Sequence, residues 1–289
     1  MRIPFLLRLP LASLLLVLAP TVQAQSFATP AASPKAKVTQ TVGLTELSVS
    51  YSRPGVKGRT IWGSLVPYGE PWRTGANEAT RFTTSTEIQV EGQKLPAGDY
   101  ALVTLPGQDS WTVVFSSQTD MWGAMGYEPK NDVLRVSVKP VAAEFTERMT
   151  FTFEDPGTDA TTLQLRWEKL AVRVRLTMDT NTLTLNAARA AVAAAKPDDW
   201  RTPYRAAAWA FDAGLAADEA PTWAATAGKA KENWQTQQLL AKMAARKGDT
   251  STAVTLMRKA IALGKADPNM AQQVADSEKL LAEWTSKRK

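Results

Sequence analysis

At 289 residues the chain is longer than one ordinary small domain and can bury two separate cores. It has neither histidine nor cysteine, which excludes a His-based triad, a thiol nucleophile, thiolate zinc, His-ligated metals and any disulfide framework. Its 34 basic and 28 acidic residues leave a net charge of +6 that is scattered rather than striped, so no nucleic-acid partner is expected.

The N-terminal stretch MRIPFLLRLPLASLLLVLAPTVQAQS carries Arg2 and Arg8, an apolar run from Leu11 to Ala19, and the small-x-small pattern Val22-Gln23-Ala24. Residues 1–24 read as a secretory signal cut after Ala24. The apolar run is about half of the roughly 20 residues that span a bilayer, so no membrane span is expected once it is removed. The compartment is then periplasmic or extracellular. Residues 25–37, QSFATPAASPKAK, are rich in Pro, Ala and Ser and read as a flexible leader.

From residue 38 to 178 short β-branched or aromatic runs alternate with turn residues: VTQTV, ELSVSYS, RFTTSTEIQV, YALVTL, WTVVFSS, VLRVSVKPV, MTFTFE, TLQLRW and LAVRVRL. With no helical period between most of them, they predict an antiparallel β-sandwich or a jelly-roll-like barrel. Leu163, Leu165 and Trp167 share one parity while Leu170, Val172, Val174 and Leu176 share the other, so the inward face is reset at Glu168-Lys169 by a tight hairpin or a bulge. Glu91-Gly92, Pro96-Ala97-Gly98-Asp99 and Pro106-Gly107 mark reversals between strands.

After Thr180 the chain turns Ala-rich, with apolar residues at helical spacing. Residues 179–289 read as an all-α domain of helical hairpins, divided by Pro197, Pro203, Pro221, Pro268 and Gly248-Asp249. Ala208, Phe211, Ala220 and Ala227 recur as Ala241, Ala244, Ala253 and Ala260 after 33 residues, and Trp200 recurs as Trp234 after 34. That period resembles tetratricopeptide repeats, although Pro268 falls three residues later than the usual terminating proline. A concave face between such hairpins implies a protein partner. The run Lys287-Arg288-Lys289 complements the dipole at the end of a final helix.

The densest polar and aromatic stretch is SYSRPGVKGRTIWGSLVPYGEPWRTGANEAT, residues 50–80. Its prolines and glycines leave little room for a regular element, and its aromatics argue against disorder, so it reads as a long ordered loop. Two readings stand. In one, Trp62 and Trp72 plug the end of the sandwich while Arg73 and Glu78 satisfy one another. In the other, Arg53, Lys57, Arg59, Arg73, Asn77 and Glu78 line a pocket for a small polar, anionic or glycan-like ligand, with a Trp or Tyr face as platform. The segment Met121-Trp122-Gly123-Ala124-Met125-Gly126-Tyr127 follows a strand and adds Trp122 and Tyr127 to that end of the domain. Neither a phosphate-binding glycine loop nor an EF-hand pattern occurs, so no cofactor or metal is implied.

The markers YSRPGVKGR, VPYGEPWRTGANEAT and LPAGDY closely resemble the secreted bacterial family known as domain of unknown function 2911, over roughly residues 32–176. Members often carry a helical tail, which the second half here is similar to. The resemblance places Arg53, Lys57, Arg59, Trp72, Arg73, Thr74, Gly75, Asn77 and Glu78 on the family's characteristic positions and assigns none of them a role. The expectation is an exported binding or interaction protein. The alternatives are a carboxylate-dependent hydrolase using Glu78, with Arg73 as charge stabiliser, and a purely structural envelope module.

Overall fold

A computed structural model of the protein describes residues 29–286. The signal reading of residues 1–24 and the run 287–289 lie outside the described residues. Ten strands and then six helices follow in order, an antiparallel β domain ahead of an α domain.

The strands are β1 (Lys35–Val42), β2 (Thr45–Ser52), β3 (Thr80–Thr84), β4 (Ile88–Val90), β5 (Gln93–Leu95), β6 (Gly98–Leu105), β7 (Trp111–Ser116), β8 (Asp132–Val138), β9 (Val141–Glu154) and β10 (Ala160–Thr177). They form a six-stranded sheet in the order β1-β2-β3-β6-β7-β8 and a four-stranded sheet in the order β5-β4-β10-β9. Alternation puts Leu47, Val49 and Tyr51 of β2, Phe82 of β3 and Trp111, Val113 and Phe115 of β7 on one face of the large sheet. These meet Met149, Phe151, Leu163, Leu165 and Trp167 of the small sheet in one core. On the opposite face of the large sheet, Ala101, Val103 and Val114 pack with Met121 in a smaller core.

Several strands depart from the expected runs. RFTTSTEIQV is two strands, because the chain leaves the large sheet after Thr84 and enters the small one at Ile88. The crossing is held by the Ser85 amide donating to the Glu46 carbonyl at 3.0 Å and by a 2.6 Å hydroxyl contact between Thr45 and Thr86. VLRVSVKPV also divides, since Pro140 has no N–H to continue the ladder, and β9 joins the other sheet. TLQLRW and LAVRVRL are one 18-residue strand. The parity change at Glu168 is a bulge, with Glu168 at φ 56° and the register against β9 shifting on either side of it. β1 begins at Lys35, inside the stretch read as leader.

The helices are α1 (Thr180–Ala194), α2 (Arg201–Asp212), α3 (Glu219–Ala230), α4 (Trp234–Arg246), α5 (Thr250–Gly264) and α6 (Ala271–Ser286). Asp179, Asn233 and Asp249 cap α1, α4 and α5 by accepting from backbone amides three residues on. Pro203 and Pro221 sit in the first turns of α2 and α3, where the missing N–H costs nothing. Ala220, Ala227, Ala241, Ala253 and Ala260 are buried, and small residues at these positions let neighbouring helices approach. No helix among the described residues is long and apolar enough to cross a membrane.

Candidate functional site

Residues 53–79 form no regular element, yet they are tied down along their length. Trp72 exchanges backbone bonds with Thr104 at 2.7 and 2.8 Å, and Gly55 bridges to Arg148 of β9. Thr74 is held at φ 53°, a strained setting for a β-branched residue. Its hydroxyl donates to the Trp72 carbonyl and to Thr104, and its carbonyl accepts from Thr80 at 2.8 Å. Each bond satisfies a group that the turn buries.

Trp62 and Trp72 enter the core, where they meet Trp111 of the large sheet and Trp167 of the small one. Trp62 lies edge-on to Trp72, Trp111 and Trp167 at centroid distances of 5.9, 5.0 and 5.7 Å, while Trp72 stacks on Trp167 at 5.8 Å and 19°. The Trp72 indole N–H donates to the Gly75 carbonyl at 3.2 Å. The loop is therefore pinned by aromatics that bridge both sheets, and neither Trp62 nor Trp72 offers a free face to a ligand.

Two of the loop's basic residues, Arg53 and Arg59, are spent locally. Arg53 donates to the Met149 carbonyl at 2.9 Å and to the Thr150 hydroxyl at 2.6 Å, fastening the loop to β9. Arg59 folds back onto the Val56 and Gly55 carbonyls at 3.1 and 2.6 Å. Lys57 is exposed, and its backbone amide is held by Glu147. Arg73 is half-buried beneath the flap at Gly123, with its Nε unpartnered, and burial pushes its guanidinium below the usual value. The expected Arg73–Glu78 pair does not form, because Lys35 reaches Glu78 from β1 at 2.9 Å.

Asn77 occupies the left-handed region at φ 60°, which asparagine tolerates, and donates to the Ser52 hydroxyl at 3.3 Å. Its carbonyl accepts from Gly123 at 3.1 Å and the Ala79 amide donates to the Met121 carbonyl at 3.1 Å, so residues 77–79 run beside 121–123 and Glu78 bridges to Trp122. Tyr127 belongs to a separate group, with its hydroxyl donating to Asp132 at 2.8 Å and accepting from Arg135 at 2.7 Å.

This pairing opens a cleft of about 700 Å³ on the outer face of the large sheet. Its floor is Lys35, Lys37, Ser50, Ser52 and Arg81 from β1, β2 and β3, and its wall is Glu78, Asp120 and Trp122. Trp122 is 60% exposed. Of the residues singled out from sequence, Glu78 and Trp122 line the cleft, whereas Arg53, Lys57, Arg59, Trp62, Trp72, Arg73, Asn77 and Tyr127 do not. Lys35, Lys37 and Arg81 were missed, because their convergence depends on the pairing of three strands. The period-2 pattern of Lys35 and Lys37 ahead of VTQTV is the one signal that could have extended β1 backward.

Glu78 is held ionised. The hydrogen bond from Lys35 and then its own backbone amide lower its carboxyl below the ordinary glutamate range. A depressed folded-state value means that the contribution of the Lys35 contact is complete above the unfolded value and is lost as pH falls through the folded one. The Glu78 carboxyl is expected to titrate below a free glutamate when followed by NMR, and Lys35→Ala to return it upward. An unchanged titration in that variant would remove Lys35 as the cause.

Residues 33–176 match the model of a family described as "Protein of unknown function (DUF2911)". No curated protein and no solved structure matches the chain.

Proposed function

The β domain belongs to this family, and from that premise we propose that the protein is an exported binding module whose outer-sheet cleft takes a small polar, anionic or glycan-like ligand. One observation carries the reading: Lys37 and Arg81 stand in a 700 Å³ cleft beside the exposed Trp122, without a carboxylate partner among the described residues. Long cationic side chains gathered at a cleft focus field on an anion, and the volume is that of an ordinary ligand site. Export rests on the N-terminal sequence pattern.

The hydrolase reading has in its favour that Asp120 shares the cleft with Glu78. Glycoside hydrolysis needs one carboxyl kept protonated to serve the leaving group, and Lys35 drives Glu78 the other way. An ionised Glu78 is an acceptor, which suits it to binding hydroxyl groups. For the helical half, the buried alanines Ala220, Ala227, Ala241, Ala253 and Ala260 of the 33-residue period support the tetratricopeptide-like reading, from which a protein partner is proposed. An apolar cavity of about 320 Å³ between Phe211, Leu215, Pro221 and Met243 offers such a partner a recess.

A thermal-shift screen of saccharides, peptides and small anions tests the cleft. At least one ligand is expected to raise the melting temperature of the parent protein, and Arg81→Ala to abolish that rise. Arg81 is exposed, so its loss leaves the core untouched. A screen without any hit, or a shift that survives Arg81→Ala, would count against the reading.

A further inference from the structure

Three neighbouring strands set outward side chains in one row across the cleft floor. Lys37 of β1 stands opposite Ser50 of β2, and Ser50 stands opposite Arg81 of β3. With strands about 4.8 Å apart, the Lys37 and Arg81 Cα atoms are about 10 Å from one another with a hydroxyl between them. One row along, Lys35 is opposite Ser52 and is already matched by Glu78. The net positive charge of the floor therefore sits on Lys37 and Arg81. Arg81 makes a single long contact to the Thr119 carbonyl at 3.4 Å, which leaves most of its five donors free.

The wall has a different chemistry. Trp122, 60% exposed, lines the opening together with the acids Glu78 and Asp120. Two acids at the rim disfavour a second anionic group at the rim itself, but they accept hydrogen bonds from hydroxyl groups. A two-cation seat over a serine suits one planar carboxylate, for which arginine's fork is matched. An aromatic face beside it suits a ring with an apolar side. A molecule that carries one carboxylate, several hydroxyls and an apolar ring face satisfies every part of the cleft at once.

Resting on the binding reading above, we propose that the cleft recognises a carboxylated saccharide. Its carboxylate sits between Lys37 and Arg81 above Ser50, its ring lies on Trp122, and its hydroxyls reach Glu78 and Asp120. Glu78 acts here as an acceptor, the role that its ionised state fits.

Isothermal titration of the protein with a galacturonate tetramer, the methyl-esterified tetramer, the galacturonate monomer and inorganic phosphate tests this. The acidic tetramer is expected to bind at least tenfold more tightly than the ester. Arg81→Gln is expected to remove that preference, and Trp122→Ala to weaken both forms. Monomer binding as tight as the tetramer's supports a free sugar acid as the occupant, and tighter tetramer binding supports a polymer segment. Equal binding of acid and ester overturns the carboxylate seat, as does a preference that survives Arg81→Gln. Phosphate binding as tight as the acid's overturns the saccharide. Binding by neither tetramer nor monomer overturns the inference even if the broader screen finds another ligand; the broader reading fails if that screen finds none or if its shift survives Arg81→Ala.

Discussion

Trp72→Ala is expected to lower the free energy of unfolding by about 3–5 kcal/mol, the range for emptying a buried aromatic site. The indole is 9% exposed and touches three other tryptophans, two of which come from opposite sheets. Its removal opens a cavity at the point where loop, large sheet and small sheet meet, and it leaves the buried Gly75 carbonyl without its 3.2 Å donor. Urea denaturation followed by circular dichroism measures the loss. Trp62→Ala, at a half-buried site, is the milder comparison. A loss below about 1 kcal/mol at Trp72 would show that the loop is not anchored through this ring.

Gly43→Ala is expected to cost about 2–4 kcal/mol, combining backbone strain with overpacking. Gly43 forms the β1–β2 turn with Leu44 at φ 56°, where an L side chain is strained. An added Cβ would also run into the Thr180 hydroxyl, come 2.6 Å from the Thr180 Cγ2 and lie 2.7 Å from the Thr158 carbonyl oxygen. That oxygen cannot move freely, because it accepts the Thr180 hydroxyl at 2.8 Å. Gly58→Ala separates the two costs, since Gly58 has φ 68° and nothing within 4 Å of its Cβ position. The Gly43 variant should melt well below the Gly58 variant. Equal melting temperatures would mean that the turn does not pack closely against the start of α1.

The fold class was legible because its signals are local. Alternation identified most strands, and the parity change between Trp167 and Leu170 located a reset at Glu168-Lys169, as either a hairpin or a bulge, which the register shifts show to be a bulge. The sheet switch inside RFTTSTEIQV was not legible, since period 2 continues while the chain changes partners. The long loop was correctly read as ordered and aromatic-pinned, and the plug formed by Trp62 and Trp72 is there. Its polar residues misled for a physical reason. Arg53 and Arg59 satisfy carbonyls that an irregular backbone leaves without ladder partners, and such a role has the same composition as a ligand pocket. The cleft draws its cations from β1 and β3, strands that are not adjacent in the chain, and only strand register brings them to one face.

The position of Lys35 and Lys37 on β1 has a consequence for how this surface can change. β1 ends the large sheet, and an end strand exposes unpaired amides and carbonyls to any extended chain that drifts by. Lysines on such a strand are gatekeepers against edge-to-edge association. The same two residues are two of the three cations on the cleft floor, beside Ser50 and Ser52. The proposed recognition and the protection of the edge thus fall to the same two side chains, so neutralising both to retune the cleft would also uncover a sticky border, whereas Arg81, flanked by strands on both sides, can vary without that penalty.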